Sequence, residues 1–137
     1  MRGPMFAATV AAYYDAFNRS DREGMLALLT EDVAHDINQG GREVGRAAFR
    51  EFLAHMDHCY REQVRDLVIM VDATGTRAAA EFTIEGEYLR DDAGLPAAAG
   101  QRYRLPVVAA IAAGPDGAIA RVSNYYNLAD WIRQVGG

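Results

Sequence analysis

The 137-residue sequence contains no lysine; all fourteen of its basic residues are arginine. Schiff-base catalysis and a Walker-type phosphate loop both require an amine, so both classes are excluded. Cysteine is almost absent. The lone Cys59 cannot form an intramolecular disulfide, and Met1-Arg2-Gly3-Pro4 is not followed by a signal-like apolar core, so a reducing cytoplasm is the expected location. Positive charge is also short: the net charge is -5 and the arginines are scattered, a field that repels phosphate backbones, so no nucleic acid partner is expected. The longest apolar run, Val107 to Ala113, falls far short of the ~20 residues that cross a bilayer, and no membrane partner is expected.

What is present reads as one globular domain spanning residues 1–137. Half of the residues are hydrophobic and 24% are charged, a balance that supports a buried core. Phe6, Val10, Tyr13, Tyr14 and Phe17 recur at spacings of three and four and predict a first helix with one buried stripe. Ser20-Asp21-Arg22-Glu23 reads as a capping box opening a short second helix to about Thr30. Val33 to Asn38 then reads as a strand closed by Gly40-Gly41, and Phe49, Phe52, Leu53, Met56 and Tyr60 predict a third helix from Gly45.

The remainder is mostly β. Val64 to Val71 and Arg77 to Leu89 predict two strands, the second alternating Phe82, Ile84 and Tyr88 with Glu81, Thr83, Glu85 and Glu87. Asp91 to Gly100 reads as a long mobile connection that overhangs a pocket mouth. Gln101 to Ala113 predicts a long strand in which Pro106 marks a bulge or an edge, because proline cannot donate to the ladder. After the Gly114-Pro115-Asp116-Gly117 turn comes a last strand, Ile119 to Asn127, and a final helical turn or two from Leu128 to Val135. Helices first and strands afterwards define an α+β class with helices on one face of an antiparallel sheet.

Several residues carry candidate chemistry. In His35-Asp36-Ile37-Asn38, a carboxylate bounded by Ile37 and a pocket would be desolvated toward general-base strength. Strand parity groups Val33, His35 and Ile37 on one face and Ala34, Asp36 and Asn38 on the other; by apolar content His35 points inward, leaving Asp36 to orient it. Tyr13, with Tyr14 beside it, reads either as a hydroxyl donor or as a core aromatic. Tyr125 and Tyr126 are consecutive on a strand, so one lines the cavity and the other does not. His55, His58 and Cys59 have helical metal-ligand spacings, yet no second cysteine cluster or His-Glu-x-x-His pattern accompanies them. No metal is expected; the histidines complement the negative end of the helix and Cys59 reads as a core thiol.

The order of elements, with Phe17-Asn18-Arg19-Ser20-Asp21, Leu28-Leu29-Thr30-Glu31-Asp32-Val33, Val44-Gly45-Arg46, Arg121 through Asn127 and Trp131-Ile132-Arg133-Gln134, resembles the ketosteroid isomerase-like, SnoaL-like group of the nuclear transport factor 2-like superfamily. That resemblance implies a conical, cystatin-like roll: three N-terminal helices on a curved, mostly antiparallel sheet, paired as a homodimer through the open sheet face. It also implies roles. Asp36 matches the family's proton-transferring aspartate and Tyr13 its oxyanion-supporting tyrosine. The family's third group, a protonated aspartic acid, falls on Ala109, and losing one such donor typically costs about 10²–10³ in rate.

The expected function is therefore cofactor-free acid–base chemistry next to a carbonyl of a small apolar organic ligand, of the isomerase or polyketide cyclase kind. Asp36, Tyr13 and His35 are its candidate catalytic residues, and Tyr14, Asn38, Leu53, Met56, Phe82, Val107, Ile111, Tyr125 and Tyr126 the candidate ligand contacts. One alternative is a non-catalytic binding or dimerisation module in the same fold. Another is a limonene-type epoxide hydrolase, which needs two aspartates around an arginine; Arg102 or Arg104 could supply the guanidinium, but no second inward aspartate is evident.

Overall fold

A computed structural model describes residues 2–136. Four helices and six strands follow in the order α1 (Arg2–Asn18), α2 (Arg22–Ala27), β1 (Leu29–Ile37), β2 (Arg42–Val44), α3 (Arg46–Cys59), β3 (Tyr60–Val71), β4 (Arg77–Tyr88), β5 (Arg102–Ala113), β6 (Ile119–Tyr126) and α4 (Leu128–Gly136). The strands form one sheet in the order β2-β1-β6-β5-β4-β3, antiparallel throughout except for the parallel β1–β6 pair. The class is α+β, with helices packed on one face of a mostly antiparallel sheet, as the resemblance implies. No described helix is long and apolar enough to cross a membrane.

The stripe on α1 does what its spacing predicts: Phe6, Val10, Tyr13 and Tyr14 are buried against the sheet. On β4, Ala78, Ala80, Phe82, Ile84 and Tyr88 are buried while Glu81, Thr83, Glu85 and Glu87 face away, because successive side chains alternate. Those outward carboxylates meet arginines: Arg65 and Arg104 flank Glu85 at 3.1 and 3.0 Å, and Arg61 lies 3.5 Å from Glu87.

Several local expectations are corrected. Asp21, not Ser20, caps α2, its side chain accepting from the Gly24 amide at 2.9 Å; Ser20 takes a positive φ and Glu23 pairs with Arg50 instead of reaching back. With Ser20 in the left-handed region, the carboxylate one residue on is the acceptor that meets the helix amides. Helix α2 ends at Ala27, so β1 starts at Leu29, and at the β1–β2 turn positive φ falls on Asn38 and Gln39 and not on the glycines. Tyr60 opens β3 instead of closing α3. The C-terminal segment is a nine-residue helix, α4, that buries Trp131 and Val135.

Pro106 sits in an interior strand, paired opposite Thr83 with no bulge on that side. Pairing with β6 begins only at Val107, so Pro106 lies just past the end of that ladder. Beyond it Gln134 of α4 takes the place of a strand, its amide accepting from Arg104 N at 2.9 Å and donating to Arg104 O at 2.8 Å. The 91–100 connection is pinned, not loose: Tyr88 Oη donates to Pro96 O and accepts from Asp92 N, Asp91 accepts from Ala98 N, and Leu95 packs on the core.

Candidate active site

Between the helices and the concave sheet lies a cavity of about 250 Å³. Its lining is mostly apolar: Phe49, Phe52, Leu53 and Met56 come from α3, Phe82 from β4 and Val107 from β5. Tyr13 and Tyr14 reach it from α1. Burial pushes both phenols above their ordinary pKa, so they remain protonated and act as donors, not bases. Tyr14 Oη is buried without a hydrogen-bond partner among the described residues.

His35 faces this cavity and Asp36 does not. On β1, Val33 and His35 are buried and Ile37 lines the cavity, so parity turns Asp36 to the other face. There its carboxylate accepts from Arg42 Nε at 2.7 Å, a second Arg42 nitrogen at 3.0 Å and Ser123 Oγ at 2.6 Å. The Arg42 guanidinium and then the Ser123 hydroxyl hold this carboxyl well below the usual carboxylate range, which makes it a poor proton acceptor. The placement of Asp36 as a pocket base is thereby corrected.

The His35 ring sits between Phe49 and Phe52, with centroids 4.5 and 4.6 Å away. Only 2% exposed, it is pushed down to about 4 by burial, against the opposing pull of Asp36. It is neutral at neutral pH. Its Nδ1 has no hydrogen-bond partner among the described residues, and a carboxylate oxygen of Glu43 is 3.8 Å away.

Of the other expected contacts, Tyr126 lines the cavity and Tyr125, 42% exposed, lies on the opposite face. Asn38 lies at the turn, where its side chain accepts from Tyr126 N, and Ile111 packs in the core outside the cavity. Both are corrected as direct contacts. Arg102 and Arg104 stand on the outer strand positions, Arg104 against Glu85, and neither reaches the cavity.

Four charged residues in the cavity escaped the sequence reading: Arg22, Asp57, Glu62 and Asp92. Arg22 clasps Asp57 with two nitrogens, at 2.6 and 2.9 Å, and its guanidinium stacks 4.9 Å over Phe17. Glu62 accepts a hydrogen bond from Tyr103 Oη at 2.5 Å. Burial drives its carboxyl upward; the Tyr103 hydroxyl and then Arg22 pull the other way, and Asp57 adds to the rise.

A row across three strands builds this carboxyl. Glu62 on β3 pairs with Gly86 on β4, which pairs with Tyr103 on β5. A Cβ at position 86 would come within 2.2–2.4 Å of the Tyr103 ring and hydroxyl, so the absent side chain is the space through which the phenol crosses to Glu62. Gly86→Ala is expected to cost about 1–3 kcal/mol in a urea melt through overpacking. In a Tyr103→Ala background that cost should nearly vanish; an undiminished cost would show that the clash is not its cause.

The signal for Glu62 was available in principle. Tyr60 and Val64 are inward on β3, and Glu62 shares their parity, but the helical reading of Tyr60 hid it. Asn124, on the Tyr126 face of β6, and Asp92, from the 91–100 connection, complete the polar lining.

Comparison with known proteins agrees with this architecture. No curated protein matches the sequence. Among solved structures, a candidate polyketide cyclase from Xanthomonas campestris pv. campestris is 52% identical, covers 98% of this chain and 99% of its own, and superimposes with a TM-score of 0.95. Another from Pseudomonas putida KT2440 is 55% identical over 95% of this chain and 97% of its own, with a TM-score of 0.92. An LEH-like epoxide hydrolase from M. tuberculosis shares the fold at 19% identity over 97% of this chain and 86% of its own, with a TM-score of 0.76. The SnoaL-like domain matches residues 10–122, and the chain belongs to the SnoaL-like family.

Proposed function

We propose that this protein is a cofactor-free acid–base catalyst acting next to a carbonyl of a small, largely apolar molecule, of the polyketide cyclase or isomerase kind. The observation that carries the reading is Glu62, a desolvated carboxyl in an aromatic-lined cavity, held by Tyr103 across Gly86. A general base works best with a pKa near the operating pH, and burial moves Glu62 toward that point, whereas His35 moves away from it. Glu62 takes the proton, with one oxygen held by Tyr103 and the other available. Tyr13 is a donor for the developing enolate oxygen, and neutral His35 is a polar group in the same cavity. Relatives named as candidate polyketide cyclases at more than half identity support this chemistry.

The cavity, at about 250 Å³, lies just below the usual range of roughly 300–1,000 Å³ for small-molecule sites, which favours a ligand of one or two rings over a steroid. The test is hydrogen exchange. Small cyclic ketones and 1,3-diketones incubated with the protein in D₂O should lose their α-proton NMR signals faster than in buffer alone. Exchange at the buffer rate across such a panel would overturn the proposal.

A second reading has its own observation. Arg22, gripped by Asp57 and close enough to Glu62 to lower its pKa, supplies two carboxylates around an arginine, with Tyr126 and Asn124 in the same cavity. With a glutamate in place of one aspartate, this resembles the set a limonene-type epoxide hydrolase uses, assembled from residues other than Arg102 or Arg104. Small apolar epoxides in ¹⁸O-labelled water separate the two: labelled diol supports hydrolysis, and its absence with α-exchange present supports carbonyl chemistry.

A further inference from the structure

We infer that His55, Cys59 and Asp92 form a binding site for a thiophilic divalent cation of the zinc or cobalt class. One nitrogen, one sulfur and one carboxylate oxygen from these residues all lie within 4.8 Å of one another. His55 Nε2 is 2.8 Å from Asp92 Oδ1 and 3.9 Å from Cys59 Sγ. Two ligand atoms about 2.0–2.3 Å from one tetrahedral metal are separated by roughly 3.3–3.7 Å, so only small shifts are needed to close such a shell.

The arrangement is not a nucleophile relay. A Cys-His-Asp relay uses the two nitrogens of the imidazole, one toward the thiol and one toward the carboxylate. Here a single nitrogen, Nε2, meets both, which is how ligands crowd a common point.

The donors are held in place without any metal. His55 and Cys59 are one turn apart at the end of α3. The Cys59 carbonyl accepts from Leu89 N at 2.7 Å and Arg90 N at 3.3 Å, which ties the helix end to the connection that carries Asp92. The second oxygen of Asp92 is taken by Tyr60 Oη at 2.5 Å, and the first also accepts from Ala93 N at 2.9 Å. Such outer contacts are what orient a ligating carboxylate. The positive group nearby, Arg90, is engaged with the His58 carbonyl at 2.6 Å. Three protein ligands leave a fourth position open, and Asp92 also lines the cavity, so a bound metal would border the site described above. This inference stands apart from the proposed function.

The test is a titration of the full chain, kept reduced, with cobalt(II). One equivalent should raise a thiolate-to-cobalt charge-transfer band in the near ultraviolet, and zinc should displace it. Cys59→Ser should abolish the band and weaken zinc binding at least ~100-fold, beyond what loss of an outer-shell partner costs. His55 is 52% exposed, so His55→Gln should fold normally and lose zinc affinity to a similar degree. Because the thiol must shed its proton, affinity should climb about tenfold per pH unit below the thiol pKa. Absence of the band in the wild type at one equivalent, or zinc affinity unchanged in either variant, would overturn the inference.

Discussion

Glu62→Gln is expected to lower turnover by about 10²–10⁴-fold while leaving the protein folded, and Asp36→Asn to leave it within a few-fold of wild type. The first figure is the usual worth of a positioned proton-transfer group. Glutamine is isosteric and still accepts from Tyr103, so the loss would be of the proton acceptor and not of packing. The second expectation follows from where Asp36 sits, on the outward face of β1 between Arg42 and Ser123. In the wild type, rate should rise with pH as the Glu62 carboxyl ionises, above the ordinary carboxylate range because burial raises it. That limb should disappear in the glutamine variant. A fully active Glu62→Gln protein, or an inactive Asp36→Asn protein that remains folded, would return the base to β1 and refute the assignment.

The second large effect is on stability. His35 titrates at about 4 in the folded protein, against an ordinary value of 6.5. Between those values the unfolded chain binds a proton that the folded one does not, so stability rises with pH across this window. Its contribution is complete above pH 6.5 and is lost as pH falls through 4. A shift of that size in a buried group is worth ~3 kcal/mol. Glu62 works in the opposite direction, because its raised pKa favours the protonated folded form at low pH. The measurement is the free energy of unfolding by urea at steps from pH 7 to pH 4, in wild type and in His35→Gln. The wild type should lose stability steeply, and the variant should lose ~3 kcal/mol less over the same interval. Parallel curves would show that His35 is not the titrating group.

Much of this molecule can be read in one dimension because helices and strands repeat. The α1 stripe and the β4 alternation each name their buried faces directly, and the order of elements names the fold. The site is less legible for three reasons. At Cys59–Tyr60 a helix passes into a strand with no intervening residue, and an error of one element there reverses the parity that would have turned Glu62 inward. The resemblance placed Asp36 by position along the chain, but which way it points was decided by the neighbours on each face: Phe49 and Phe52 around His35, Arg42 and Ser123 around Asp36. Arg22 and Asp57 are ordinary helical charges until the packing of α2 beside α3 brings them together.

The missing lysines and the periodic hydrophobic pattern determined the α+β class and the amine chemistry that could not occur. They are properties of residues and of their local spacing. The resemblance places the family's third acid at position 109, where the sequence has alanine. Tertiary structure decided which carboxyl is desolvated, because desolvation depends on atoms far apart in the chain: Glu62 is 24 residues from Gly86 and 41 from Tyr103. It likewise brought Asp92 to within 2.8 Å of a histidine 37 positions earlier. Spacing along a helix or strand carries no information about such meetings; only the closing of the sheet over the helices supplies it.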